Sequence, residues 1–128
     1  MIADAIRQAQ RMHRKALEET WDGSCRIYEQ RPVKDPDTKV TRMGEVPVGE
    51  TMPCRLSFSG EKTTQKGETA ATVPQTVQLF LAPEPVIPPG CRIEVTQRGR
   101  TESYGQSGKA SVYVTHQEIP LEIWKGYA

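Results

Sequence analysis

Few residues in this chain combine a reactive side chain with a spacing that chemistry could use. The candidate nucleophiles are Cys25, Cys54 and Cys91, and the candidate bases are His13 and His116. Only Cys91 with His116 suggests a thiol activated by an imidazole. Nothing around either residue supplies an oxyanion hole or a third group to orient the ring, so no enzymatic activity is expected. His116-Gln117-Glu118 reads instead as a strand leaving the core, with the imidazole hydrogen-bonded in place. No two His, Cys, Asp or Glu residues have a spacing that a helix or hairpin would converge on a metal, and no cofactor is implied. Gly99, Gly105 and Gly108 sit at hairpin turns rather than in a phosphate-binding loop. A second class of function is base stacking. Tyr28, Tyr104 and Tyr113, with Arg92, Arg98 and Arg100 nearby in sequence, would suit an OB-like single-stranded nucleic-acid binder.

These residues must be positioned by a small body. A chain of 128 residues is expected to make one compact unit, and one of this size buries roughly two thirds of its unfolded surface. Only 36% of the residues are hydrophobic, with two Phe and two Trp among them, which implies a thin core and surface left for neighbours to cover. A net charge of +1 gives no global attraction to nucleic acid or membrane. No apolar run is long enough to span a bilayer, and the N-terminus lacks a signal-peptide core. The odd number of widely spaced cysteines fits free thiols in a protein made in a reducing cytoplasm.

The fold class expected is mainly β: a small barrel or sandwich of about seven to eight strands, with an N-terminal α-helix and a long mobile loop over 60–74. The division is a helix over 1–22 and a β domain over 23–128. The clearest signal lies between Thr76 and Thr96. Val77, Leu79 and Leu81 alternate with Gln78 and Phe80, and Cys91, Ile93 and Val95 alternate with Arg92 and Glu94. Pro83, Pro85, Pro88 and Pro89 make the connection a stiff corner, and Gly90 turns the chain into the second strand.

The same period places strands at 24–31, 39–48, 52–59, 101–104, 110–117 and 122–124. The strand at 39–48 is weakened by Gly44 and Pro47 and assigned to an edge. Gly49-Glu50 is expected to turn the chain, and Val112 and Val114 to point inward. At the start, Ile2, Ala5, Ile6, Ala9, Met12 and Ala16 recur at threes and fours and form one helical stripe over 2–20, closed by Gly23 as a left-handed cap. That stripe suits packing against the barrel or a partner. Arg7, Arg11, Arg14 and Lys15 form the opposite, basic face, which is either solvated or a contact for an acidic partner or DNA phosphate.

Four segments together carry a resemblance. They are Pro53-Cys54-Arg55-Leu56-Ser57, Val77-Gln78-Leu79-Phe80-Leu81, Ile87-Pro88-Pro89-Gly90-Cys91-Arg92-Ile93-Glu94-Val95, and Tyr113-Val114-Thr115-His116-Gln117-Glu118-Ile119-Pro120-Leu121. In this cadence the chain resembles the small head-closure proteins of long-tailed phages and defective prophages of Gram-positive bacteria, including the PBSX-type element. The likeness runs roughly from Ser24 to Trp124, and its most specific piece is the closing His-Gln-Glu-Ile-Pro-Leu.

The resemblance implies a virion protein at the head-tail interface, a β-barrel assembled as a twelve-fold ring beneath portal and adaptor proteins. Such a ring retains packaged double-stranded DNA without sequence specificity and offers the tail a docking face. A tail-completion or adaptor protein of the same connector is the nearest alternative. By place in the fold, the channel loop corresponds to Gly60-Glu61-Lys62-Thr63-Thr64-Gln65-Lys66-Gly67-Glu68-Thr69 and on to Pro74. Its mixed charge suits a surface that must not grip DNA permanently. The N-terminal helix departs from the pattern.

Overall fold

A computed structural model describes residues 2–59, 63–66, 69–72 and 76–127. The elements in chain order are α1 (Ile2–Glu18), β1 (Gly23–Lys34), β2 (Thr41–Ser59), β3 (Thr63–Lys66), β4 (Thr69–Thr72), β5 (Thr76–Leu81), β6 (Arg92–Gln97), β7 (Arg100–Gln106), β8 (Ser111–Val112) and β9 (Gln117–Ile123). The main sheet runs β5-β2-β1-β6-β7-β9, with β8 beyond β9, and β5 also pairs with β9. Six antiparallel strands therefore form a closed circuit, the barrel-like body expected from the alternating pattern. Closure leaves no open edge in the part where all six strands overlap.

The inward row of each strand makes the core. Cys25 and Ile27 of β1, Cys54 and Leu56 of β2, Leu79 and Leu81 of β5, and Ile93 and Val95 of β6 are buried. Tyr104 of β7 and Ile119 and Leu121 of β9 complete the set, with Cys91 just before β6. Three of the twelve are thiols, here acting as small apolar side chains. The core is as lean as the composition implied.

The proline-rich corner between β5 and β6 is held by a buried polar group. Gln117 Nε2 donates to the carbonyls of Ala82 at 2.8 Å and Pro85 at 2.6 Å. These prolines have no N–H to offer, so the corner is fastened through its carbonyls. Gly90 has φ +80°, as its turning role requires. Between β6 and β7, Arg98 (φ 53°) and Gly99 (φ 77°) both lie in the left-handed region, the type I′ geometry that matches hairpin twist.

Several expectations are corrected. Strands over 39–48 and 52–59 are one strand, β2, which carries Pro47 and Pro53 within it. Gly49-Glu50 does not turn the chain. Cys25 pairs with Met52 and Ile27 with Val48, so three residues of β2 bulge opposite Arg26, and Gly49 supplies a φ of +74°. Strand β1 runs on through Pro32 to Lys34, so β1 and β2 extend past the barrel as a two-stranded arm. Its residues from Gln30 to Met43 are all exposed.

The expected strand over 110–117 is mostly a turn. Ser111–Val112 is strand and Gln117 already begins β9, but Tyr113 N–H bonds the carbonyl of His116 at 2.7 Å, and Val112 and Val114 are exposed rather than inward. Strand β9 begins earlier than expected and contains Pro120. Gly23 does not cap the helix. Thr20 and Trp21 close the helix with bonds to the carbonyls of Leu17 and Glu18. Gly23 opens β1 because a Cβ there would lie 3.0–3.2 Å from Gln97 Oε1 and the carbonyls of Cys54 and Thr96.

Part of the expected 60–74 loop is a ribbon. Thr63–Lys66 pairs with Thr69–Thr72 in antiparallel register. Gly60, Glu61, Lys62, Gly67 and Glu68, with residues 73–75, lie outside the described residues. The ribbon is inserted between β2 and β5, whose ends meet where Ser59 pairs with Thr76.

Candidate functional site

The groups singled out for chemistry do not converge. His116 hydrogen-bonds Thr115 Oγ1 and Glu118 Oε2, each at 3.0 Å, and stacks on Tyr113 with centroids 5.1 Å apart. It is held in place, as the sequence suggested. Cys91 lies in the core, where burial pushes its thiol pKa up and disfavours the thiolate a nucleophile needs. Cys91 and His116 share no hydrogen bond among the described residues. Cys25 and Cys54 are neighbours in the core, and Cys54 is raised first by its hydrogen bond with Cys25 and then by burial. Among the described residues, no three His, Cys, Asp or Glu side chains are grouped to hold a metal ion. No helix among them is long and apolar enough to cross a membrane.

The three tyrosines do not form a stacking platform. Tyr104 is buried inside the barrel with its hydroxyl on Glu102 at 3.2 Å. Tyr28 lies outside the barrel under the Arg92 guanidinium, 4.4 Å from ring centroid to Cζ. Tyr113 is at the β8–β9 turn. A base-stacking strip needs aromatics on one face, and these occupy three.

What the fold presents instead is a set of surfaces. The first is the helix. Its least exposed residues are Gln10, Arg14, Leu17 and Glu18, and none of its residues is buried. Arg14 is clamped by Glu84, with Nη1 and Nη2 each 2.7 Å from a carboxylate oxygen, while Nε donates to Glu18 at 2.8 Å. Buried Trp21 seats the chain immediately after the helix. The helix thus rests on its polar side.

The stripe of Ile2, Ala5, Ile6, Ala9, Met12 and Ala16 points away, with Ile2 80%, Ile6 52% and Met12 66% exposed. Of the two roles expected for the stripe, packing on the barrel does not occur. Arg14 is consumed by its carboxylates, and Arg7 and Arg11 border a groove with Gln10 and Val114, Arg7 being 4.0 Å from Asp4. Lys15 is exposed.

The second surface is the barrel mouth at the β6–β7 turn. Strand β1 starts opposite Cys54, so the last residues of β2 run on without a neighbour on that side. The gap is a recess of about 540 Å³, lined by Leu56, Phe58, Val95 and Tyr104 and rimmed by Gln97, Arg98, Arg100 and Glu102. Gln97 Oε1 takes the N–H of Leu56 at 2.8 Å, replacing the missing ladder bond. Phe58 is 51% exposed there.

The third is the β1–β2 arm. Its base is fastened by Arg92, which reaches Glu45 at 2.7 and 2.8 Å, Glu94 at 3.0 Å and Ser103 at 2.8 Å. Tyr127 donates to the same Glu45 at 2.6 Å. The hydrogen bonds from Arg92 and then Tyr127 hold the Glu45 carboxyl at about 2, well below its ordinary value. The sequence carried no signal for this cluster, since Glu45 and Arg92 meet only through strand pairing on either side of β1.

No family model matches the chain, and no curated protein matches it. A solved structure, that of the phage-like element PBSX protein xkdH from Bacillus subtilis, is similar over 77% of this chain and 90% of its own. It is 15% identical with a TM-score of 0.42.

Proposed function

We propose that this protein is a non-enzymatic structural component of a phage head-tail connector, of the head-closure type. It would form a ring below the portal and adaptor, help retain packaged DNA and present a docking surface to the tail. The observation that carries this is the outward apolar stripe of α1. A chain this poor in hydrophobic residues points Ile2, Ile6 and Met12 into solvent, which suits a surface meant for another protein. The arm and the mouth are further surfaces that the closed core does not use. The resemblance of the closing His116–Leu121 segment to head-closure proteins supplies the particular assembly. In this role the ribbon between Ser59 and Thr76 is the segment reaching into the channel. The tail-completion and adaptor roles differ from this one in where the ring sits.

Because the strand ends meet at Ser59 and Thr76, with their hydroxyls 2.5 Å apart, the ribbon can be removed without opening the barrel. Deleting Glu61 to Val73 leaves three residues to join β2 and β5. The shortened protein is expected to fold with an unchanged β-sheet circular dichroism spectrum, and phage heads closed with it to lose DNA during storage. A shortened protein that folds, joins particles and retains DNA as well as the full chain would refute the channel role. Micrographs of particles lacking density for this protein at the head-tail interface would refute the connector assignment.

A further inference from the structure

We propose that the apolar stripe of α1 seats in the barrel mouth of a second copy of this chain. The contact deepens the ring reading above, because it names the surfaces that would join one subunit to the next. The ridge is Ile2, Ile6 and Met12, and the recess is lined by Leu56, Phe58, Val95 and Tyr104. Neither finds its complement within one molecule among the described residues. No residue of α1 lines its own recess, and the Arg14–Glu84 ion pair and buried Trp21 set the helix with its polar side toward the body.

Charge favours the same pairing. Glu19, just past the end of α1, continues the stripe one turn beyond Ala16 and two beyond Met12, and Arg100 stands at the rim of the recess. Both are exposed, and no ion pair among the described residues uses either.

Ridge and recess are different surfaces, so the contact is heterologous. Repeating it gives a ring when the rotation closes, rather than a two-fold dimer. Its extent fits this use. A ridge of three large side chains, Ile2, Ile6 and Met12, is a small contact beside the roughly 800 Å² per partner of a stable pair. A single contact is therefore weak in solution and becomes durable where each subunit makes two.

The test mixes two separately tagged single variants, Met12→Cys and Phe58→Cys, at about 1 mM, where weak contacts are populated. The native thiols are buried and stay out of the reaction. Mild oxidation is expected to yield cross-links between the two variants about tenfold above those of Met12→Cys with Lys109→Cys, an exposed control. Adding Ile6→Glu to the Met12→Cys chain is expected to bring the yield down to the control. Ile6 is exposed and tolerates the change in the monomer, which circular dichroism verifies. Yields equal to the control, or Met12 cross-linking mainly to Met12, overturn the proposal. Either result leaves the connector assignment to be judged separately, by the micrographs of whole particles.

Discussion

Replacing Arg92 with Met tests whether the arm is fastened as described. The Arg92 side chain is only 15% exposed and makes four polar contacts, to Glu45, Glu94 and Ser103. Its guanidinium also covers the Tyr28 ring. Hydrogen bonds to fully buried charges contribute about 1.5–3 kcal/mol each. Here the carboxylates are about a third exposed, at 34% for Glu45 and 35% for Glu94, so each ion pair is reduced to about 1 kcal/mol. The ring contact adds about 0.5–1 kcal/mol and the Ser103 bond a similar amount. Arg92→Met is therefore expected to lower stability by about 3 kcal/mol, or Tm by about 10 °C.

The pH dependence has a definite sign. Glu45 is held at about 2 when folded against an ordinary 4.5, so its contribution is fully present above 4.5 and fades as the pH falls toward 2. Urea melts of the native and Arg92→Met proteins should differ by a constant amount from pH 7 to pH 5. The gap should narrow between pH 4.5 and pH 2. A difference below about 0.5 kcal/mol at pH 7, or one unchanged at pH 2, would refute the account of this cluster.

Two further outcomes follow from the core. Leu79 is fully buried between β2 and β9, so Leu79→Ala is expected to cost about 3 kcal/mol in a denaturant melt, against little for the exposed Val86→Ala. The three thiols, at most 3% exposed, should ignore a thiol reagent at pH 8 in the native protein and all react in urea. Rapid labelling of the native protein would show that the core opens where the burial pattern says it is shut.

Much of the barrel was legible in the chain itself. Period-two alternation located the inward rows Cys25/Ile27, Leu79/Leu81 and Cys91/Ile93/Val95, because a strand sends successive side chains to opposite faces whatever its neighbours are. The Arg98-Gly99 turn and the Gly90 corner were legible for an equally local reason, the backbone angles that tight turns demand. The stretch at 110–117 misled because Val112 and Val114 alternate correctly, yet residues 113–116 make the turn that brings Ser111 and Val112 back beside Glu118 and Gln117 of β9. Pro32 and Pro120 misled in the opposite sense, since strands expected to stop or start beside them run through them. A proline stops a strand only where its missing N–H was needed, and pairing on the other side is not visible in a sequence.

The helix shows where local signals end. Its existence, its stripe and the Arg14–Glu18 pair follow from 3.6-residue periodicity alone. The direction in which the stripe points does not, because periodicity fixes the angles between side chains and says nothing of how the cylinder is rotated on its support. That rotation was decided by Glu84, seventy residues away, and by the seat for Trp21. Closure of β5 on β9, the gap that makes the mouth, and the meeting of Glu45 with Arg92 are likewise products of long-range pairing. The amino-acid order by itself determined which residues could be inside. The tertiary structure decided which apolar residues had no inside left to enter, since a closed barrel of this girth holds a fixed number of side chains and the remainder must lie on its surface.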